Sequence, residues 1–204
     1  MSAFYFDIRK DGLYCDPSDS KIRLASRTVL DILFNHLTVW LAPILCFTAE
    51  EAWISRNGYE SDVSVHLRTF PEVSEDWRDD LLAAKWNKVR RLRRVVTGAL
   101  EIERIEKRIG SSLQAAPEVY ADDDTVAAMK DIDLAEISIT SKATLIAGAA
   151  PSNSFFLEDV PEIGVITKLA KGEKCARCWQ VLEEVGNNKH KDLCNRCSQA
   201  VDKT

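Results

Sequence analysis

From Lys21 the apolar positions Ile22, Val29, Leu33, Leu37 and Trp40 recur at helical intervals and predict a helix that Pro43 ends or kinks. A second helix is expected from Pro43 to roughly Ser55, with Leu45, Ala49, Ala52 and Trp53 on one face. Thr48 and Glu51 form a candidate capping box that would start it later, and Asn57-Gly58 closes it. Ser74 reads as the N-cap of a third helix, since Glu75, Asp76, Asp79 and Asp80 place negative charge at the positive end of its dipole. Leu82, Trp86, Val89, Val96, Ala99 and Glu103 continue that periodicity towards Ile109, where Gly110 supplies a stop. Such a helix would span about 54 Å, with Gly98 as a weak point. Three antiparallel helices make a bundle. Residues 1–19 read as a lead-in that ends in the turn Asp16-Pro17-Ser18-Asp19.

The pattern changes after Gly110-Ser111-Ser112. Val119 and Tyr120 predict a short strand, and Asp122-Asp123-Asp124 caps a short helix through Lys130. Ile137, Ile139, Ala143, Leu145 and Ala147 alternate as a half-buried strand should. Pro151 to Ser154 is a turn, with further strands at Phe155–Leu157 and Ile163–Leu169. The expected fold is mainly α: a helical bundle (1–112), a small α+β module (113–170) and a cysteine-bearing tail (171–204).

That tail holds the strongest local signal. Cys175-Ala-Arg-Cys178 and Cys194-Asn-Arg-Cys197 give C-x2-C-x15-C-x2-C. Two intervening residues let a tight turn aim both thiolates at one ion, and two such turns complete a tetrahedron. Soft sulfur donors in that geometry select zinc, and four of them leave no position for water, so the site is expected to be structural. A tail of about thirty residues is also too small to hold a full core without such a staple. A redox dithiol needs one pair rather than two, and disulfides do not need this spacing. His190 lies inside the loop between the pairs, where it reads as a surface or nucleic-acid contact. Gly186-Asn187-Asn188 reads as the turn between them.

With 204 residues, 46% apolar and 29% charged, the chain has ample core for one to two domains, and its composition argues against disorder. The longest uncharged run, Ile32 to Ala49, contains Asn35, His36 and Pro43 and reads as two core helices, not a membrane span. The start lacks the cationic lead of a secretory signal, and the paired cysteines suit a reducing compartment.

Net charge is −5, but its distribution is polarised: residues 85–114 hold nine Lys and Arg against three Glu. A basic block between acidic ones suits a face that meets a polyanion. Arg90, Arg91, Arg94, Arg104 and Arg108 are candidates on the long helix, although a solvated face paired with Glu101, Glu103 and Glu106 accounts for them equally. In the tail, Lys174, Arg177, Lys189, Lys191 and Arg196 cluster around the proposed knuckles, His190 lies in the loop between them, and Trp179 directly follows the first pair. Cations beside an aromatic suit phosphate contact and base stacking, while padding of the zinc module is the other role open to Trp179. Phosphate-binding loops and catalytic histidine motifs are not present in the sequence.

Leu41–Trp53 (LAPILCFTAEEAW), Ser64–Glu72 (SVHLRTFPE) and Ala99–Ala115 (ALEIERIEKRIGSSLQA) resemble the anticodon-binding region of class I aminoacyl-tRNA synthetases for branched aliphatic amino acids. Ser2–Asp16 (SAFYFDIRKDGLYCD) and the terminal GEKCARCW…LCNRC narrow the resemblance to the C-terminal part of the bacterial-type isoleucyl-tRNA synthetase family, whose valyl relatives end in a helical arm instead. The resemblance implies an anticodon-binding bundle that grips the stem and loop of isoleucine tRNA and a zinc module that closes on the anticodon. It also implies a cytoplasmic monomer with no membrane or DNA partner. The parent ligase uses ATP, releasing AMP, to join isoleucine to its tRNA. The family's H-I-G-H and K-M-S-K-S signatures are not in this sequence, so the chain is expected to have no aminoacylation activity of its own, and ATP belongs to the parent's catalytic domain. Residues 115–170 match no motif of the family. Two further readings stay open: a free-standing zinc nucleic-acid module, as in the tail of formamidopyrimidine-type DNA glycosylases, and a helical protein-interaction domain with a zinc-stabilised end. The first would need an N-terminal catalytic residue that Ser2-Ala3 does not supply.

Overall fold

A computed structural model describes residues 2–59 and 63–203. They form two compact units: residues 18–78, and the chain up to Pro17 together with everything from Asp79 onward. Among the described residues there are seven α-helices, a small mixed sheet and a C-terminal cysteine cluster, which is the expected fold class.

The expected lead-in is itself helical. A π-helical turn, Ser2–Phe6, runs into α1 (Asp7–Cys15), which buries Ile8, Gly12 and Cys15 at helical spacing.

In the 18–78 unit, α2 (Lys21–Leu41) starts at Ser20, whose hydroxyl accepts the Arg23 N–H at 3.4 Å, and it ends just ahead of Pro43. The next helix, α3 (Cys46–Asn57), has Leu45 at its cap position, so Thr48 lies within the helix and does not open it as a capping box. Val39, Ala42, Ala49, Trp53 and Val65 form the core of this unit, with Phe34 stacked on Trp53 at 6.2 Å between ring centroids. The Glu50 carboxylate accepts the Val65 N–H (2.9 Å) and the Ser64 hydroxyl (3.0 Å), which pins the following 3-10 turn, Val65–Leu67, onto α3.

Ser74 caps only a 3-10 turn, Glu75–Trp77. The long helix, α4 (Asp80–Ile105), takes Asp79 as its cap, whose carboxylate accepts the Leu82 N–H at 2.8 Å. It stops before Gly110 because Lys107 turns left-handed (φ 58°) and the N–H groups of Arg108 and Ile109 fold back on the Glu103 carbonyl. Its 26 residues span about 39 Å, shorter at both ends than the periodicity suggests.

The buried face of α4, Val89, Leu92, Val95, Val96, Ala99 and Leu100, covers a four-stranded sheet and shares one core with it. The strands are β1 (Glu118–Ala121), β2 (Thr144–Ala147), β3 (Phe155–Leu157) and β4 (Val160–Ile166), in the order β2-β1-β4-β3. β1 runs parallel to β2 and antiparallel to β4, while β3 and β4 are antiparallel. A Cβ on Gly98 would lie 3.1 Å from the Phe155 ring, so the glycine lets α4 sit close on β3.

Two helices, α5 (Asp123–Ala128) and α6 (Leu134–Ser138), lie between β1 and β2 in the chain. The first begins at Asp122 as expected. The second replaces the front half of the strand expected over 137–147. Asp133 accepts the N–H groups of Ala135 and Glu136 and starts the helix, and Ile139 ends it in a left-handed turn (φ 55°). β4 begins and ends three residues ahead of the expected 163–169 strand. Residues 168 and 170 instead pair with the segment before β1, the Ala116 N–H donating to the Lys168 carbonyl (2.7 Å) and Ala170 N–H to Gln114 (2.8 Å).

The chain closes with the hairpin of β5 (Glu173–Lys174) and β6 (Val181–Leu182), then α7 (Asn195–Asp202). Gly172 enters that hairpin at φ +110°, with its missing Cβ 2.2 Å from the Leu182 carbonyl carbon, a position only glycine fits. Among the described residues no helix is long and apolar enough to cross a membrane.

Candidate functional site

Cys175 and Cys178 lie on the turn between β5 and β6, and the Trp179 N–H closes that turn on the Cys175 carbonyl at 3.0 Å. Cys194 caps α7 and Cys197 sits in its first turn, so the positive end of the helix dipole faces the sulfurs. Glu184 fixes this second turn by accepting both the backbone N–H of Asn195 (2.8 Å) and its side-chain amide (3.0 Å). All four cysteines are buried, and their sulfurs lie within 4.8 Å of one another.

The arrangement fits a tetrahedral ion. Zinc–sulfur bonds of about 2.3 Å give tetrahedral edges near 3.8 Å, and the Cys178 and Cys194 sulfurs are 3.8 Å apart. Burial pushes the Cys178 thiol up and Cys197 to about 12. At Cys175 burial also acts upward, but N–H groups of Cys178, Cys194 and Arg177 outweigh it and hold the thiol down at about 6. Four thiolates packed this tightly need a divalent charge among them. Cys175, Cys178, Cys194 and Cys197 would be the ligands, and with no fifth donor required the ion's task is to fix the two turns.

The zinc module rests on α1. Arg177, inside the first cysteine pair, donates to the carbonyls of Tyr14 (3.0 Å) and Cys15 at the C-terminal end of that helix. Arg196, inside the second, forms a two-pronged pair with Asp11, one prong at 2.8 Å, and reaches Asp16 at 3.3 Å. Cys15 packs into the cysteine cluster itself. On the other side Ser141 donates to the Leu113 carbonyl and accepts the Val181 N–H at 2.7 Å, joining β6 to the α/β module. Asp11, Cys15, Asp16 and Ser141 escape sequence reasoning. The helical spacing of Ile8, Gly12 and Cys15 was the available hint for the first three.

The remaining candidates fall into two groups. Along α4, Arg91 pairs with Glu162 (2.5 Å), Arg94 with Asp159 and Arg104 with Glu101, and Arg90 stacks over Phe4 at 4.6 Å; in the turn that follows, Arg108 pairs with Glu103 (2.5 and 2.8 Å). These ion pairs are solvent-facing, so water and salt screen them and each exchanges readily for another anion. On the zinc module, Lys174 sits 5.4 Å from the centroid of the Trp179 ring, which is 61% exposed. Trp179 itself is left-handed (φ 67°), so the turn that aims the sulfurs inward throws its indole outward. Lys189 (2.6 Å) and His190 (3.0 Å) both meet Asp202, and Lys191 donates to the Gly186 carbonyl (3.2 Å).

Comparison with known proteins converges on the same two regions. Residues 1–120 match the anticodon-binding domain of tRNA ligase, and residues 172–200 match the zinc finger found in FPG and IleRS. The chain is 54% identical to an isoleucine–tRNA ligase of Agrobacterium fabrum over 92% of its own length and 19% of the relative's. It is 51% identical to the corresponding ligase of Ruegeria pomeroyi over 98% of the chain and 21% of the relative, and 49% to that of Bradyrhizobium diazoefficiens over 98% and 20%. The chain therefore spans about a fifth of the length of these relatives. The cysteine quartet and the zinc-finger match together identify a structural zinc site.

Proposed function

Because the chain belongs to the anticodon-binding domain family of tRNA ligases, we propose that it is an RNA-reading segment that binds the anticodon stem-loop of isoleucine tRNA. The observation that carries this reading is the exposed Trp179 ring, on the turn that holds Cys175 and Cys178, with the ammonium of Lys174 at the end of β5 above it. An unpaired base gains stacking on such a ring, and the neighbouring cation meets its phosphate.

Lys189, His190 and Lys191 extend the cationic rim of the zinc module, and Arg90, Arg91, Arg94 and Arg104 on α4, with Arg108 just beyond its end, act as phosphate contacts. Their surface ion pairs open at small cost when a phosphate replaces the carboxylate. In this division of labour residues 1–112 grip the stem, residues 171–204 close on the anticodon, and residues 113–170 join them. Joining isoleucine to its tRNA with ATP belongs to the longer ligase, in the cytoplasm, and this segment serves it as a monomer.

Footprinting of isoleucine tRNA with this chain tests the proposal. Protection should appear in the anticodon loop, with filter binding that prefers this tRNA to duplex DNA and weakens steeply with salt. Protection elsewhere, or equal binding of duplex DNA, would overturn it.

A further inference from the structure

Arginine occupies the third position of each Cys-x-Arg-Cys turn, and both arginines point to one end of α1. Arg177 meets backbone carbonyls there, whereas Arg196 meets two carboxylates, Asp11 and Asp16, with its side chain only 34% exposed. α1 is in turn fixed at its other end, with Ile8 in the main core and Arg9 paired with Glu136 of α6 at 2.6 Å. One helix thus has its first turns in the α/β core and its last residue in the cysteine cluster.

We infer that Arg196 is a positioning residue: by holding the second cysteine turn against Asp11 and Asp16 it fixes the zinc module on α1, and through that the place where Trp179 meets RNA. The inference rests on the anticodon-binding reading. A fork-to-fork pair of this kind sets both distance and angle, and all its donors that face Asp11 are occupied. A guanidinium so engaged acts on RNA through Trp179 and not by touching a phosphate.

The test compares Arg196→Met, Asp11→Asn and the double variant in the full chain, with isoleucine tRNA as the probe. Each single variant should weaken binding roughly tenfold, in the range for residues that orient a metal site from outside its ligand shell. The double variant should lose no more than either alone, zinc should stay at one per chain, and the salt slope should not change. If Arg196 contacts a phosphate instead, Arg196→Met lowers the slope by about one and Asp11→Asn leaves affinity intact, which overturns the inference. Should Arg196→Met shed zinc, Asp11→Asn and Arg196→Lys carry the same comparison. Hydrogen exchange reads the clamp without RNA: residues 12–16 should exchange faster in each variant, and unchanged exchange overturns the positioning role. Absence of tRNA binding by the unaltered chain would instead overturn the anticodon reading beneath it.

Discussion

Arg196 and Asp11 are 185 residues apart in the chain, yet the guanidinium of one meets the carboxylate of the other with two parallel hydrogen bonds, one of them 2.8 Å long. The pair ties the last helix to the first. Partly withdrawn from water, it is the kind of contact whose loss leaves the other charge uncompensated. With Arg177 on the Tyr14 and Cys15 carbonyls, it makes α1 and the zinc turns one structural piece.

Removal of zinc should therefore unfold more than the tail. Structural zinc contributes apparent binding energies of about 10–16 kcal/mol near neutral pH, and the cysteine cluster includes Cys15 of α1. With a chelator, hydrogen exchange should accelerate throughout residues 173–202 and at the C-terminal turn of α1. The α2 and α3 amides should keep their protection. A tail whose exchange is unchanged by the chelator would contradict the assignment of the ion's role.

Trp179→Ala separates stacking from packing. If a base lies on the exposed ring, the variant should lose about 1–3 kcal/mol of tRNA binding. Its thermal stability should stay within about 0.5 kcal/mol of the original, as for a surface substitution. The opposite pattern, intact binding with a lowered melting temperature, would make Trp179 part of the module's packing.

Gly98→Leu should destabilise the unit built around α4. The nearest ring atom of Phe155 lies 3.1 Å from where a Cβ would be, and Leu157 adds a further contact at 3.8 Å. Overpacking of this sort costs about 1–3 kcal/mol, more than the roughly 1 kcal/mol that replacing glycine in a helix returns. Urea unfolding gives the sign directly, and a stabilised variant would show that β3 yields.

Asp122 makes a pH-dependent contribution. Its carboxylate accepts the Thr125 N–H at 2.9 Å, and hydrogen bonding to Thr125 holds it below the usual carboxylate range. A carboxyl group lowered on folding stabilises the fold above its unfolded value, about 3.9, and loses that contribution as pH falls through the lowered folded value. Asp122→Ala should cost about 1 kcal/mol at neutral pH, typical of a lost cap. The gap between the two proteins in denaturant titrations should narrow below about pH 4. A gap that stays constant to pH 2 would show that the charge is not what matters.

Features written in neighbouring residues were legible in the sequence. Asp122 ahead of α5, Pro43 beyond α2 and the two cysteine pairs each depend on groups a few positions apart, so spacing alone specifies their geometry. The misread segments were those in which two local signals competed. Ile137 and Ile139 alternate like a strand, but Asp133 nucleates a helix that buries Ile137 from another direction. Ser74 and Asp79 are both good caps, and only the second leads into the helix whose apolar face finds a core.

The sequence by itself pointed to a structural zinc and to the four cysteines that cluster around it, because those follow from donor type and short-range spacing. Only the tertiary structure decided which arginines are turned outward and which are consumed inside. Arg177 and Arg196 have the same local context, and so do Arg91 and Arg94, yet their partners Asp11, Tyr14, Glu162 and Asp159 come from distant parts of the chain. A charge has no directional preference written into its neighbours. Its partner is set by which surfaces the hydrophobic cores bring together, and those cores form from the whole chain.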